Sequence, residues 1–240
     1  MKWSSGYTVR YHDTDANELV SPSYIFKYLQ ETATNQMKGE GPSYRELLNQ
    51  GKAFILSGIR VEMYETLVPD DNIRVYTWGS PARGYAFPRS YCIMRGDELI
   101  CEANSTWALV DIRDKKLIRA SDVELNYSLD EPLALDNPVR FRIPTELPMS
   151  LVGEYTIRYS DTDVNGHMNN TNYPDMLVSA MPSPENKIIK SIAISYQNEA
   201  RTGDYLKLYM GRTDGKYYMR SVHEDGRINV EAEIIAQSLN

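Results

Sequence analysis

Cysteine and histidine are both scarce in this sequence of 240 residues, which argues against several kinds of site. The two cysteines, Cys92 and Cys101, lie in strand-like stretches, without CxxC spacing and without a histidine nearby in sequence. We expect simple buried thiols rather than a disulfide or metal ligands. The histidines, His12, His167 and His223, are scattered, so we expect no metal site and no cofactor. His12 and His223 are predicted to be surface or strand histidines without a chemical role.

Long apolar runs and an excess of positive charge are also missing. No stretch approaches the roughly 20 apolar residues that span a bilayer, and the first five residues contain no apolar signal core. The formal net charge of −7 argues against nucleic-acid binding over the whole surface. The GxSxG, P-loop, HExxH and GxGxxG motifs are absent. With 42% hydrophobic and 25% charged residues, the chain is predicted to be globular and cytoplasmic.

What the sequence does contain is a long internal repeat. The stretch Tyr7–Asn17 returns 148 positions later as Tyr155–Asn165, with eight of eleven residues identical. Copies so far apart predict two related folding units rather than a solenoid of short repeats. Two residues beyond the match the copies diverge, with Leu19 in the first and His167 in the second. A titratable group kept in one copy predicts one active half and one degenerate half.

Each copy predicts the same order of elements. Each copy begins with a short strand, at residues 7–11 or 155–159, followed by a polar loop and a helix. In the first copy the predicted N-cap of the helix is Ser21 and its first residue is Pro22. Residues at helical spacing mark its buried face: Ile25, Tyr28, Leu29, Thr32 and Ala33, and in the second copy Tyr173, Met176, Leu177, Ala180 and Met181. A second short helix, with a capping box from Ser43 to Glu46 and a stop at Gly51, is predicted only in the first copy.

The rest of each half alternates like antiparallel strands. Beyond the helices the copies align at an offset of 134, which pairs Glu65 with Glu199 and Asp70 with Asp204. Hairpin turns are predicted at Gly96-Asp97, Asp214-Gly215 and Asp225-Gly226. Residues 121–150 are rich in proline and lack periodicity, so we predict a linker there between halves 1–120 and 151–240.

One polar constellation in the second copy has the parts for chemistry. Asp163, Asn165 and His167 are spaced two apart, which in an extended loop places three side chains on one side. Gly166 permits a sharp turn, and Asn169 or the following Asn170 can cap the next helix. An imidazole, an amide and a carboxylate beside a helix N-terminus fit acyl hydrolysis. The alternative is a polar turn with an Asx cap, which the first copy favours because it keeps the carboxylate and amide without the histidine.

The residues Asp163–Tyr173 resemble the active-site motif of the acyl-acyl-carrier-protein thioesterases, in their plant plastid and bacterial forms. Tyr196–Ala200 resembles that family's second catalytic segment, and Asn104–Asp111 resembles the tryptophan strand that ends its first half. The resemblance is collinear over nearly the whole chain. It implies an α+β tandem hotdog fold: two units, each a helix wrapped by an antiparallel sheet, packed side by side as a pseudo-dimer.

The resemblance also assigns roles residue by residue. Asp163, Asn165 and His167 match the family's aspartate, asparagine and histidine, and Glu199 matches its catalytic glutamate. Plant members have a cysteine after that glutamate, whereas this chain has Ala200, so a cysteine nucleophile is excluded there and a carboxylate mechanism is favoured. The first half would then shape the acyl pocket rather than react.

The implied reaction is hydrolysis of acyl-acyl-carrier-protein, which releases a free fatty acid and ends chain elongation in fatty acid biosynthesis. Because the carrier protein is acidic and this chain is acidic too, docking needs a local basic patch. The densest basic run consists of Arg113, Lys115, Lys116 and Arg119; the alternative is an ordinary solvated turn. Two rival functions stay open, an acyl-CoA thioesterase and a non-catalytic acyl-binding hotdog protein. The sequence is compatible with a homodimer and does not define acyl length.

Overall fold

The computed structural model describes residues 2–239, which form two compact units built mainly of antiparallel strands. The first unit consists of the chain up to Val139, except Ser21–Ser23. The second unit consists of those three residues and the chain from Arg140 onward. Among the helices of residues 2–239, none has both the length and the apolar character needed to cross a membrane.

The first unit contains six strands and two α-helices. In chain order these are β1 (Trp3–Thr8), α1 (Pro22–Glu40), α2 (Tyr44–Asn49), β2 (Lys52–Met63), β3 (Asn72–Gly79), β4 (Phe87–Arg95), β5 (Glu98–Asp111) and β6 (Lys116–Ile118). Five strands follow the order β1-β3-β4-β5-β2, and β6 pairs with the end of β5. All pairings in this sheet are antiparallel, as the hairpin signals predict.

The long helix α1 lies against this sheet. Its predicted apolar face is buried, with Ile25, Leu29 and Ala33 at most 7% exposed. The Trp3 ring lies so close to Gly39 that a Cβ atom there would collide with it. A hydrogen bond of 3.0 Å joins the hydroxyls of Tyr7 on β1 and Thr32 on α1. The first unit is therefore a helix packed on a curved sheet.

The second unit repeats the arrangement with a shorter helix. Its elements are β7 (Ser150–Thr156), α3 (Tyr173–Ser179), β8 (Lys187–Tyr196), β9 (Tyr205–Thr213), β10 (Lys216–His223) and β11 (Ile228–Ser238), with strand order β8-β11-β10-β9-β7. Leu177 of α3 is fully buried, and the Tyr173 ring meets the Tyr196 ring of β8 edge-on at 5.5 Å. Helix α3 ends at Ser179 because Pro182 and Pro184 follow closely.

Several local predictions are confirmed and others need correction. Helix α1 begins at Pro22, and α2 has the predicted capping box at Ser43. The three predicted turns connect β4 to β5, β9 to β10 and β10 to β11. The strands predicted at 7–11 and 155–159 start and end earlier, since β1 spans Trp3–Thr8 and β7 spans Ser150–Thr156. The chain then enters a 3-10 turn, where a carboxylate accepts the backbone N–H three residues before it: Asp13 from Arg10 and Asp161 from Arg158, each at 2.8 Å.

The proline-rich segment after β6 is mostly coil, and its part up to Val139 lies along the first unit. The Tyr127 hydroxyl donates to the carbonyl of Pro42, and the amide of Ser128 donates to Glu40 at 2.8 Å. Further along, the guanidinium of Arg60 donates to the carbonyl of Pro138 at 2.6 Å. Backbone polar groups that would need water in a free linker are thus partly satisfied by the unit itself.

Candidate active site

The loop Asp163–His167 is a closed turn rather than an extended stretch. The Asp163 amide donates to the His167 carbonyl at 2.8 Å, and the Gly166 amide donates to the Asp163 carbonyl at 3.0 Å. Gly166 has φ +74°, a left-handed conformation that glycine adopts without strain. The predicted extended loop is therefore wrong, because these bonds fold the backbone back on itself.

The Asp163 carboxylate holds this turn in shape. Its Oδ1 accepts from the Asn165 amide at 2.8 Å and from the His167 amide at 3.4 Å. Its Oδ2 accepts from the Asn165 side-chain Nδ2 at 3.2 Å, which orients that amide. Just after the turn, Asn169 accepts from the Thr171 amide at 3.0 Å and caps a 3-10 turn that precedes α3.

The imidazole of His167 faces the carboxylate of Glu199. Nε2 of His167 lies 3.1 Å from Oε2 of Glu199, and the two side chains are 23% and 55% exposed. Two backbone links hold their segments together: the Met168 amide donates to the Ala200 carbonyl at 2.7 Å, and His167 forms an antiparallel bridge with Arg201. A base and a proton carrier thus stand in contact at a solvent-accessible point, which suits activation of water.

Ala200 occupies the position of the plant cysteine and is 1% exposed. Its methyl side chain is not a nucleophile. Its carbonyl accepts the hydrogen bond from the Met168 amide and so links the two segments of the site. The two actual cysteines are free thiols in the first unit, and burial raises the pKa of both, most strongly for Cys101. Cys101 is buried as predicted, whereas Cys92 is partly exposed.

Motif spacing does not single out Ser221 and Asn229, whose side chains join the helix residue Tyr173 in a chain of hydrogen bonds. Asn229 is fully buried, and its backbone carbonyl accepts from the amides of Gln197 and Asn198 at 2.9 and 3.1 Å. Its side-chain Nδ2 donates to the Tyr173 hydroxyl at 3.0 Å, and its Oδ1 accepts from Ser221 at 2.8 Å. Burial raises the pKa of Tyr173 to about 12, so this hydroxyl stays protonated at neutral pH.

The remaining histidines lie outside the pair. His12 is exposed and lies 3.3 Å from Asp13 in the first unit. His223, at the end of β10, is 7% exposed, with Nδ1 3.9 Å from Asp204. Its Nε2 has no hydrogen-bond partner within residues 2–239. Both positions agree with the surface or strand roles predicted for them.

The first unit repeats the turn without the reactive groups. The Asp15 amide donates to the Leu19 carbonyl at 2.8 Å, and the Asp15 carboxylate accepts from the Asn17 amide at 2.8 Å. Glu18 has φ +59°, the same left-handed region as Gly166, although it carries a side chain. The turn is thus a structural feature of both halves, and Leu19 stands where the second half has its imidazole.

Backbone hydrogen bonds correct the alignment of the halves beyond the helices. The Val9 amide donates to the carbonyl of Asp71, and the Ile157 amide donates to the carbonyl of Asp204, both at 2.9 Å. Asp71, which is 133 positions before Asp204, is therefore its equivalent, and the predicted pairing with Asp70 is wrong. Adjacent aspartates in the first copy hide this single-residue difference from sequence comparison.

The corrected offset also changes which first-half residue is equivalent to Glu199. Thr66, not Glu65, occupies the position equivalent to Glu199. The first half therefore lacks both members of the pair, with Leu19 for the imidazole and Thr66 for the carboxylate.

The basic run extends from the turn between β5 and β6, which carries Arg113 and Lys115, through Lys116 at the start of β6 to Arg119 just after it. Arg113, Lys115, Lys116 and Arg119 are all exposed. The Arg119 guanidinium stacks on the Tyr85 ring at 5.1 Å and donates to its hydroxyl at 3.1 Å. Two acids belong to the same turn: Asp111 accepts from two backbone amides, which lower its pKa, and Asp114 lies 3.9 Å from Lys116.

Comparisons with known proteins agree with this architecture. Family models of the acyl-ACP thioesterase N-terminal and C-terminal domains match residues 1–126 and 146–238. The acyl-[acyl-carrier-protein] hydrolase FATB3, chloroplastic, of Cuphea viscosissima is 22% identical over 244 residues, with 93% of this chain and 58% of that protein covered. The palmitoyl-acyl carrier protein thioesterase, chloroplastic, of Gossypium hirsutum is 22% identical over 213 residues, with 82% of this chain and 52% of that protein covered. The chain thus spans somewhat more than half the length of these relatives.

Solved structures match over nearly the whole chain. An acyl-ACP thioesterase from Bacteroides thetaiotaomicron superposes with a TM-score of 0.87 at 20% identity, and the match covers 98% of this chain and 97% of that one. The 12:0-ACP thioesterase from Umbellularia californica superposes with a TM-score of 0.82 at 16% identity, with 99% and 97% covered. At such low identity these matches show the fold, and they confirm the predicted tandem hotdog.

Proposed function

The chain belongs to the acyl-ACP thioesterase family, and we propose that it hydrolyses the thioester of acyl-acyl-carrier-protein, releasing a free fatty acid and ending chain elongation. The observation that carries the proposal is the contact of 3.1 Å between His167 and Glu199, in a half whose degenerate copy has lost both groups. A thioester has an electrophilic carbonyl and a good leaving group, so one activated water suffices for its hydrolysis.

Each residue of the site has a proposed role. Glu199 removes a proton from the attacking water, and His167 carries a proton toward the departing thiolate. Asn165 orients the water or stabilises the oxyanion with its amide. Asp163 holds the turn, a role supported by the bonds its carboxylate accepts from the Asn165 and His167 amides. No residue of this scheme requires a metal or a cofactor.

A second chemical route uses the same residues. Glu199 attacks the carbonyl directly and forms a mixed anhydride as the C–S bond breaks, and the departing thiolate takes a proton from His167. Water then hydrolyses the anhydride, which releases the fatty acid and restores the Glu199 carboxylate. Mass spectrometry of protein quenched during a single turnover separates the two routes. An acyl group attached to Glu199 would establish the anhydride route, whereas unmodified protein throughout turnover supports the water route.

We propose that the first half, residues 1–120, binds the acyl chain and does not react, with residues 121–150 joining it to the catalytic half, residues 151–240. Replacement of the reactive pair by Leu19 and Thr66 supports this division. A cytoplasmic location is part of the same proposal.

Two alternative functions are tested by one substrate panel. Hydrolysis is measured on acyl-carrier-protein thioesters of graded chain length and on the matching acyl-CoA thioesters. A kcat/KM that favours the carrier-protein series supports the proposal, and a preference for the CoA series favours an acyl-CoA thioesterase. Absence of turnover on both series would leave an acyl-binding protein.

We predict that reversing charges at Arg113 and Lys115 to glutamate raises KM for acyl-carrier-protein by about tenfold, because rim charges act mainly on the encounter rate. Lys116 and Arg119 should contribute less, since each already has a partner, Asp114 or Tyr85. The turnover number should hold, and added salt should reduce the difference from wild type because it screens exposed charges. The measurement is kcat/KM at low and high salt.

The control for this prediction is a substrate without a protein surface. A short acyl-pantetheine thioester should be hydrolysed equally by wild type and by the reversed variant. A parallel loss on both substrates would indicate damage to the fold or the acyl site. Unchanged kinetics on both substrates would mean that the carrier protein docks elsewhere. The reversals Lys187→Glu and Lys190→Glu then test the surface around these two lysines.

A further inference from the structure

The catalytic half contains a buried polar network that its sister half lacks. The network consists of Tyr173, Ser221 and Asn229, whose side chains are joined by hydrogen bonds of 3.0 and 2.8 Å. Their exposed fractions are 2%, 0% and 0%. Asn229 is fully engaged, because Nδ2 donates both hydrogens, to Tyr173 and to the Asn198 carbonyl, while Oδ1 accepts from Ser221. These bonds define one orientation of the amide.

The equivalent network positions in the first half are identified by a shared bulge. In the β10–β11 pair the register shifts after Ser221 and leaves Asn229 as the extra residue of its strand. In the β4–β5 pair it shifts after Ile93 and leaves Ile100 extra in the same way. The Asn229 and Ile100 carbonyls each accept two consecutive amides from the strand end beside them, which confirms the match.

All three equivalents are isoleucine. Ile93 and Ile100 replace Ser221 and Asn229, and Ile25 replaces Tyr173, which lies 148 positions later. These isoleucines are 0%, 0% and 3% exposed. Three apolar side chains in the first half therefore support the same kind of bulge and the same contact between the bulge and the helix. Because burying polar groups is costly even when they are bonded, the fold gives no reason for the polar set in the second half.

The network adds one bond to the residue before Glu199, from Asn229 Nδ2 to the Asn198 carbonyl. The bond from the Asn198 amide to the Asn229 carbonyl has a counterpart between Glu65 and Ile100 in the first half. Asn198 is held by three bonds: its amide donates to the Asn229 carbonyl at 3.1 Å, its carbonyl accepts from Asn229 Nδ2 at 2.6 Å, and its own side chain donates to the Ile228 carbonyl at 2.7 Å. On the other side of Glu199, Ala200 is fixed by its bond to the Met168 amide. The backbone that carries the catalytic carboxylate is thus pinned at both neighbours.

We propose that Asn229 is a positioning residue that places Glu199 against His167, and that Tyr173 and Ser221 orient the Asn229 amide for this task. The inference deepens the proposed function and rests on it. Asn229 touches no reacting atom, so its effect passes through the backbone of Asn198. A misplacement of a catalytic group by about 1 Å can cost on the order of a hundredfold in rate.

The test replaces the three polar side chains by apolar ones of similar size, because the first half holds the same positions with apolar residues. The triple variant Tyr173→Phe, Ser221→Val, Asn229→Leu removes the polar groups together, so it leaves few of them buried without partners. We expect kcat on acyl-carrier-protein thioesters to fall by about a hundredfold, with little change in KM. The unfolding temperature should stay at or above that of wild type, because apolar replacement of a buried polar set is often neutral or stabilising. The matched control Ile100→Val changes the same bulge in the first half and should keep wild-type kcat.

A second variant and a second readout complete the test. Asn229→Asp keeps the shape and the acceptor for Ser221 but loses the donor to Asn198, and it should lower kcat in the same direction. In both variants hydrogen exchange at the Gln197 and Asn198 amides should quicken by about tenfold or more, which reports local loosening. A folded triple variant with wild-type kcat overturns the proposal, as does failure of both variants to fold, since the network would then serve folding. If the wild-type protein hydrolyses no thioester, the proposed function fails. In that case an unchanged rate of hydrogen exchange at the Asn198 amide of the variants overturns the positioning role of Asn229 as well.

Discussion

Glu199→Gln should abolish hydrolysis almost completely while substrate binding is retained. The substitution keeps nearly the shape of the side chain and its contact distance to His167, 3.1 Å in the wild type, but removes the basic oxygen. Loss of a general base typically costs on the order of 10²–10⁴-fold in rate, and loss of a nucleophile costs at least as much. Single-turnover rates on an acyl-carrier-protein thioester measure the loss, and titration of the inactive variant with the same substrate measures binding.

The matched control is Glu65→Gln in the first half. The sequence offset of 134 pairs Glu65 with Glu199, whereas the backbone hydrogen bonds place Thr66 in that position. Glu65→Gln should therefore keep wild-type turnover. Wild-type turnover in Glu199→Gln would make Glu199 an ordinary residue at the end of its strand and would refute both chemical routes.

His167→Ala and Asn165→Ala should each reduce turnover by on the order of a hundredfold or more, the usual scale for losing an acid-base group or an oxyanion donor. Asn17→Ala should cost about 1 kcal/mol of stability with little effect on turnover. The backbone amide of Asn17 donates to Asp15 in the same kind of turn, and alanine keeps this bond, but Leu19 stands where the second half has the imidazole. Steady-state rates and unfolding temperatures of the three variants provide the comparison.

This comparison tests the assignment of one active half. Equal catalytic losses in Asn17→Ala and Asn165→Ala would contradict it, since the two amides would then serve the reaction alike. If the loss of turnover in Asn165→Ala came with a comparable loss of stability, the role of Asn165 would be to hold the turn and not to take part in the reaction.

Much of the site could be predicted from sequence because its signals are local. The Asp163–His167 spacing, the glycine at position 166 and the asparagine cap at 169 lie within seven residues. The catalytic carboxylate was reachable only through resemblance to a family, since nothing in the local pattern around Glu199 distinguishes it from other strand-end acids. The extended-loop prediction for this stretch is wrong, and the polar-turn alternative gives its shape, because the Asp163 carboxylate bonds to the amides of its own loop.

By itself the sequence determined the two-fold repeat, the start of α1, the cap of α2, the hairpin turns and the presence of a histidine in only one copy. These features depend on short-range periodicity, capping and turn chemistry. No local pattern places Glu199 beside His167, and only the tertiary structure shows their contact, because Glu199 lies on another segment and reaches His167 through strand register and two backbone links. It also decided that Asn229 is buried, since a bulge shifts the alternation that sequence reading extends along β11. Register and bulges depend on the packing of a whole unit, and no local stretch of residues specifies them.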